Sequence, residues 1–216
     1  MSRVITLILF LIIGINIASA QKTDVERMNL KGKPKIVKQV DTDGMYCEYH
    51  FDKKGIIRKI TYTKEGVTDS KTFEYEYDKK GNPVKEYAYY QNELRYYFVN
   101  VFDEKGNKIN MEEYTSDGKL LSTTSYKYDK ENNVVEIETT FVKDLPTTKH
   151  RLEYNAQNHL SAIYTEQKVE PISTFVYQYG ESGNWYQKKE FSYDGELRNT
   201  TAQTIEYMIE KQLLKL

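Results

Sequence analysis

Cysteine is almost missing from this chain: Cys47 is the only one in 216 residues. No intrachain disulfide can form, so packing and strand pairing must hold the fold. The lone thiol reads as a small buried hydrophobe on a strand. Proline is scarce as well, at 4 residues, and of the 11 glycines all but Gly14 sit at turns rather than being scattered. Neither sign of charge is in excess, with 31 Lys and Arg against 32 Asp and Glu. That balance argues against a nucleic-acid partner, whose basic stripe would show as a surplus of Lys and Arg. After Ala20 no run approaches the ~18 apolar residues of a spanning helix. A nucleophile elbow, phosphate loop, metalloprotease helix and Cys-x-x-Cys pair are all missing. These absences favour a protein that is not an enzyme and that carries no cofactor and no metal.

At the N-terminus a basic start, Met1-Ser2-Arg3, leads into an apolar run from Val4 to Ile17 and then Ala18-Ser19-Ala20. These are the three parts of a secretory signal, and they predict export to the periplasm or beyond with cleavage after Ala20. The run is short for a ~30 Å hydrocarbon core, which disfavours a retained anchor. The expected division is a signal peptide over 1–20, a polar leader over 21–35, a β domain over 36–207 and a tail over 208–216.

What the chain has in abundance is tyrosine, 20 residues, with 8 phenylalanines. Its clearest unit reads Tyr77-Asp78-Lys79-Lys80-Gly81-Asn82. The same pattern starts at Phe51, Phe102, Tyr128, Tyr154 and Tyr179, so the aromatic anchors step by 26, 25, 26, 26 and 25 residues. A step this regular marks a repeat protein. Between anchors lies a second turn signal: Asp43-Gly44, Glu65-Gly66, Gln91-Asn92, Asp117-Gly118, Lys143-Asp144, Gln167-Lys168 and Asp194-Gly195. Asp-Gly between alternating strands favours a two-residue primed turn. Each period therefore holds one hairpin, and seven hairpins give about fourteen short antiparallel strands. Lys31-Gly32-Lys33 resembles a degenerate copy of the aromatic-side turn.

Strand alternation places Phe73, Tyr75 and Tyr77 on one face and Glu74 and Glu76 on the other. With a two-residue turn at Asp117-Gly118, Tyr126 falls opposite Ile109 and Thr124 opposite Met111. Arg58, Glu86 and Lys188 break the apolar face, which implies either incomplete burial or a register shift of one residue. A long meander with one apolar face cannot stay flat, because twist accumulates and that face needs cover. The fold class is all-β: an antiparallel meander of about seven hairpins, rolled into a curved sheet or open barrel, with two packed sheets as the alternative. Thr200 to Tyr207 reads as the last strand.

The aromatic-Asp-x-x-Gly-Asn turn followed by a hydrophobic strand resembles the YD repeat of the RHS and teneurin families. The ending Gly183-Asn184-Trp185, Asp194-Gly195 and Ile205-Glu206-Tyr207 is similar to small secreted RHS-like proteins of Bacteroidetes. The resemblance spans Ile36 to Tyr207 and implies hairpins of a long curved antiparallel sheet. Large members use that sheet as a shell around a toxin domain, but this chain has too few units for a shell. Asn155 and Gly180 stand where the motif has Asp, so those two turns are expected to differ.

Candidate chemistry is thin. His50, His150 and His159 read as structural or surface residues, although His150 and His159 flank one turn. The motif Asp residues offer one carboxylate per turn, whereas calcium wants six to eight oxygens; turn capping is the better account. The hairpin Tyr87, Tyr89, Tyr90, Tyr96, Tyr97 and Phe98 carries aromatics on both faces, so one cluster must be exposed. Tyr89, Tyr90, Tyr96 and Tyr97 are the candidate ligand-binding residues, for a glycan or a cell-envelope protein. Trp185 is expected to pack at the last aromatic-side turn. The function that follows is a secreted or periplasmic, non-catalytic binding or structural module. Alternatives are a carrier enclosing a small ligand, and a hydrolase using two facing carboxylates.

Overall fold

The computed structural model describes residues 23–143, 145–166 and 168–208. The signal-peptide reading and nearly all of the expected tail lie outside those residues. A short helix α1 (Asp24–Arg27) is followed by fourteen strands: β1 (Pro34–Asp41), β2 (Tyr46–Phe51), β3 (Ile57–Lys64), β4 (Val67–Tyr77), β5 (Pro83–Tyr90), β6 (Glu93–Phe102), β7 (Lys108–Thr115), β8 (Leu120–Tyr128), β9 (Val134–Phe141), β10 (Thr148–Tyr154), β11 (Leu160–Thr165), β12 (Ser173–Tyr179), β13 (Trp185–Ser192) and β14 (Leu197–Tyr207). Each strand pairs antiparallel with the next, and β14 returns to pair with β1, so the rolled meander closes into a barrel.

Six turns repeat one device. The Asp78 N–H donates to the Asn82 carbonyl at 3.0 Å and the Gly81 N–H to the Asp78 carbonyl at 3.1 Å. Asp78 Oδ1 meanwhile accepts the N–H groups of Lys80 and Asn82, both at 2.8 Å. Gly81 takes φ +90, the left-handed region that glycine enters without Cβ strain. Just before each turn the register shifts by one, and the aromatic anchor pairs with the residue six positions on, as in Tyr77 with Pro83 and Tyr128 with Val134. The two departures from the motif leave this geometry intact. Asn155 Oδ1 accepts from Gln157 and His159 as an aspartate would, at 2.9 and 3.0 Å. Gly180, lacking a side chain, keeps the two main-chain bonds to Asn184 and Gly183, both at 2.9 Å. Tyrosine hydroxyls then tie each unit to the one before: Tyr75 donates to the Ile57 carbonyl, Tyr128 to that of Lys108, Tyr154 to that of Val134 and Tyr177 to that of Leu160.

Apart from those expected at Lys143-Asp144 and Gln167-Lys168, each of which includes a residue outside the described ones, the opposite turns divide into two kinds. Glu65-Gly66 and Gln91-Asn92 have positive φ at both central residues and are two-residue primed turns. At Asp43-Gly44, Asp117-Gly118 and Asp194-Gly195 only the glycine is left-handed, contrary to the sequence expectation. The reason is visible at the first of them, where Asp43 Oδ1 accepts the Met45 N–H at 3.1 Å. That bond holds the aspartate at ordinary φ and leaves a one-glycine bulge to finish the turn. The strand register is unharmed, with Met111 opposite Thr124.

Continuous cross-strand pairing identifies the inner face all the way round. Val37 pairs with Tyr49, Tyr49 with Ile60, Phe73 with Ala88, Tyr75 with Glu86, Asn100 with Met111, Met111 with Thr124, Tyr126 with Ile137, Leu152 with Ile163, Tyr177 with Lys188, and Ile205 with Val37. Glu86 and Lys188 therefore do face inward, and Arg58 sits in the shifted step beside the turn. Apolar packing gathers in two clusters, one on β1–β3 around Val37, Tyr49 and Ile60, the other on β8–β11 around Tyr126, Val134 and Ile163. Eight strands make a barrel that side chains just fill, and sixteen leave a channel. Fourteen lie between these two cases.

Candidate functional site

One end of the barrel is sealed by the leader. Thr23 caps α1 in a capping box with Glu26, accepting its N–H at 3.2 Å while the Glu26 carboxylate accepts the Thr23 N–H at 2.6 Å. Asp24 is only 3% exposed and accepts the Ile57 N–H at 2.6 Å. The Val25 N–H donates to the Gly55 carbonyl, and Val25 and Leu30 join the first apolar cluster. Further along, Asn29 bonds the Gln157 carbonyl, and the Asn184 side chain clasps Lys31 by accepting its N–H (2.7 Å) and donating to its carbonyl (3.2 Å). The leader thus crosses the end that carries the aromatic-anchored turns, from one side to the other.

Beneath it lies a buried ionic group. Arg27 donates to Asp24 at 2.9 Å, and both act electrostatically on Glu86 and Lys108 of the wall. Burial pushes the Glu86 carboxyl up, against the pull of Lys108. Burial pushes the Lys108 ammonium down to about 8, against Glu86. Lys108 Nζ lies 5.6 Å from the Tyr126 ring centre. Desolvation dominates both groups, as expected for charges taken out of water.

The other half of the inner face is chemically mixed. Lys71 Nζ stands 4.8 Å over the Tyr90 ring, and Tyr90 meets Tyr96 edge to face at 6.5 Å. Lys188 Nζ lies 5.8 Å from Phe175 and 6.0 Å from Trp185. Glu113 accepts from Ser122 Oγ at 3.0 Å and Glu190 from Ser173 Oγ at 2.8 Å. Phe98, Glu113, Phe175, Lys188 and Glu190 all face inward yet keep part of their surface accessible. The inner face on this side is thus aromatic and charged.

The four candidate tyrosines are split by the wall. Tyr90 and Tyr96 share the inner face with Ala88, whereas Tyr89 and Tyr97 point outward. Outside, Tyr97 and Tyr114 stack at 4.9 Å with planes 4° apart, and Tyr87 lies 6.1 Å from Tyr97. Stacking turns one face of each of these two rings toward the other rather than toward solvent. Tyr89 donates to Glu74 and Tyr87 to Glu76 between β5 and β4, and the same cross-strand pairing recurs far away at Tyr164 with Glu153. The outer aromatics thus act as cross-strand reinforcement.

His50 lies on the outer face with Nε2 3.2 Å from Glu48. His150 and His159 stand at different heights of the barrel. His159 takes the motif Asn position, 6% exposed, between the rings of Tyr177 and Tyr179, with Nδ1 3.1 Å from the Tyr179 hydroxyl. Burial, helped by Lys31, lowers its pKa to about 4. Trp185 packs edge-on to Tyr177 at that same turn. Cys47 is buried on β2, and burial raises its thiol to about 11. Among the described residues no group of three His, Cys, Asp or Glu side chains could hold a metal ion.

The outer wall is charged. Lys127 pairs with Glu136 at 2.7 Å, Arg151 with Glu153 at 2.6 Å and Lys38 with Glu206 at 2.5 Å. No helix among the described residues is long and apolar enough to cross a membrane.

Neither a protein-family model nor a curated protein sequence matches the chain. Among solved structures, a TcdB2-TccC3-Cdc42 complex aligns with 75% of this chain and 9% of its own at 16% identity, with a TM-score of 0.36. A porin-like protein from Bacteroides uniformis aligns with 80% of this chain and 98% of its own, at 13% identity and a TM-score of 0.56, so the two share a barrel fold.

Proposed function

We propose that the protein is an exported, non-catalytic binding module of the cell envelope that takes a small ligand into the open half of its lumen. The observation that carries this is the asymmetry of the interior: the leader closes one end, while inward-facing Phe98, Glu113, Phe175, Lys188 and Glu190 remain accessible toward the other. A barrel stoppered at one end is a cup rather than a channel. The Lys–Glu pairs of the outer wall suit water, whereas a membrane barrel turns an apolar band to lipid. The recurrent turn supports kinship with the YD repeats, and the signal-like N-terminus supports export. Against a glycoside hydrolase stands the placement of Glu113 on β7 and Glu190 on β13. They are six strands apart on the ring, whereas such enzymes hold two carboxyls within about 10 Å.

The test is expression of the full chain in a diderm bacterium, followed by fractionation, intact mass of the mature protein and purification without detergent. The expected outcome is a soluble envelope protein starting at Gln21 whose melting temperature rises with a ligand and whose response is lost on changing lumen residues. An uncleaved or detergent-dependent protein, or turnover of a substrate that one Asp or Glu change abolishes, would overturn the proposal.

A further inference from the structure

The hairpin tips at the two ends of the barrel differ in kind. Among the described residues the tips at the leader end, such as Asp78-Lys79-Lys80-Gly81, put no large apolar side chain into water. Those at the opposite end expose six: Val67 at β3–β4, Val142 and Leu145 at β9–β10, Val169 at β11–β12, and Tyr193 and Leu197 at β13–β14. Turn chemistry does not require them, since the β5–β6 and β7–β8 tips at the same end are built from Gln91-Asn92 and Asp117-Gly118. Val169, 94% exposed, touches little of the fold that carries it.

Five of the six form one arc. The hairpins β9–β10, β11–β12 and β13–β14 follow one another round the ring, and side chains tie their tips together. Lys149 beneath the first tip pairs with Glu166 of the second at 3.5 Å, Lys168 Nζ lies 5.2 Å over the Tyr193 ring, and Arg198 of the third donates to the Ile172 carbonyl at 3.1 Å. The arc is a narrow ridge and not a face. At on the order of 100 Å² for each apolar side chain it offers about 500 Å², short of the ~800 Å² that each partner buries in a standard protein interface. A bilayer surface suits such a ridge, because aliphatic side chains at one level enter the boundary between headgroups and acyl chains singly, with tyrosine at headgroup depth. Charge agrees. At these three tips the described cations Lys143, Lys168 and Arg198 stand against the carboxylates Glu166, Glu170, Asp194 and Glu196. That near balance matches headgroups carrying both signs and offers no basic cluster to a strongly anionic surface.

We infer that this rim docks on a bilayer of zwitterionic lipid, with Val142, Leu145, Val169 and Leu197 entering the acyl boundary, Tyr193 at headgroup level, and Lys143 and Lys168 reaching back to phosphates. The charged outer wall stays in water, and the end away from the leader tilts toward the membrane. The test sediments the mature protein with sucrose-loaded vesicles of phosphatidylethanolamine and phosphatidylcholine at low and high salt. The protein comes down in proportion to lipid, and salt changes this little because apolar insertion is not screened. Val169→Asp and Leu197→Asp each weaken the partition about tenfold, the order expected when an inserted aliphatic side chain gives way to a charge. Val176→Asp, at an exposed position on the outer face of β12, changes nothing. Val169→Trp adds a blue-shifted emission on the same vesicles. Melting temperatures, unchanged at these exposed positions, separate lost docking from lost fold. No sedimentation of the wild type, equal weakening by Val176→Asp, or binding only to phosphatidylglycerol vesicles that salt abolishes overturns the proposal. So does a lipid-free dimer, seen by light scattering, that the two tip changes dissociate. The lumen reading is decided separately, by ligand-induced shifts in melting temperature without vesicles, so either can fail alone.

Discussion

The Met208 N–H donates to the Lys33 carbonyl at 2.9 Å, and this bond makes a seventh turn out of the two ends of the chain. It is the bond that Asp78 gives to Asn82 within one hairpin. Tyr207 pairs with Pro34 as each anchor pairs with the residue six positions on, and Gly32 supplies the left-handed residue at φ +85. The degenerate Lys31-Gly32-Lys33 turn seen in the sequence is the second half of this split unit.

Gly32 is therefore a sensitive position. A Cβ there would lie 2.8 Å from the Tyr207 ring, whereas one at Gly44, with φ +79, would meet nothing within 4 Å. Both changes to alanine pay left-handed strain, and Gly32→Ala adds overpacking of about 1–3 kcal/mol. Thermal unfolding should place Gly32→Ala several degrees below Gly44→Ala. Equal melting temperatures would mean that the seam yields freely.

Asp52 takes a charged donor where Asp78, Asp103 and Asp129 take an Asn side-chain amide, accepting from the N–H groups of Lys54 (2.8 Å) and Ile56 (3.0 Å) and from Arg58 (2.9 Å). Desolvation raises its pKa, but these donors outweigh it and hold the carboxyl below the ordinary range. Asp52→Ala should cost about 2–3 kcal/mol in urea unfolding, with Asp52→Asn intermediate. A depressed carboxyl stabilises above the unfolded value near 3.9, and that stability is lost as pH falls through the folded value. The gap between wild type and Asp52→Ala should therefore narrow in strong acid; a gap that held constant with pH would contradict the assigned bonds.

His159 gives a second pH window. Its folded pKa of about 4 lies below the 6.5 of a free imidazole. Between these values the unfolded chain binds the extra proton, so stability falls as pH drops from about 6.5 to about 4. The full effect is about 3 kcal/mol. His159→Asn, which restores the motif residue, should remove this slope from a series of denaturant midpoints, and an unchanged slope would sink the assignment.

The leader can be tested through Leu30, 6% exposed within the first apolar cluster. Leu30→Ala should destabilise the whole barrel by about 2–4 kcal/mol. A loss below about 0.5 kcal/mol, within the range of surface changes, would show that the leader merely rests on the end.

The repeat step, the strand count and the register at Met111 and Thr124 were legible because period-two alternation and anchored turns are local properties. The turn type at Asp43-Gly44 was not, since it depends on where one carboxylate finds an N–H. Arg58, Glu86 and Lys188 looked like errors of pattern because alternation reports a face and not its chemistry. The partners that make a buried Glu86 tolerable, Lys108 and the leader's Arg27, come from distant parts of the chain. For the same reason the sealing role of Asp24 and Leu30 is invisible in a stretch that reads as merely polar. Of the four candidate tyrosines, alternation alone already separates Tyr90 from Tyr89 and Tyr96 from Tyr97; which pair faces the lumen needed the closed ring.

A closed ring also decides how this protein comes apart. With β1 joined to β14 the sheet closes on itself, so fraying cannot creep inward from an outermost strand. Opening must begin by splitting an interior seam. The weakest is β11 with β12, held by only two register pairs, Ala162 with Thr174 and Ile163 with Ser173. For a chain whose single cysteine allows no intrachain disulfide, persistence of the fold is then a question of how fast that one seam unzips.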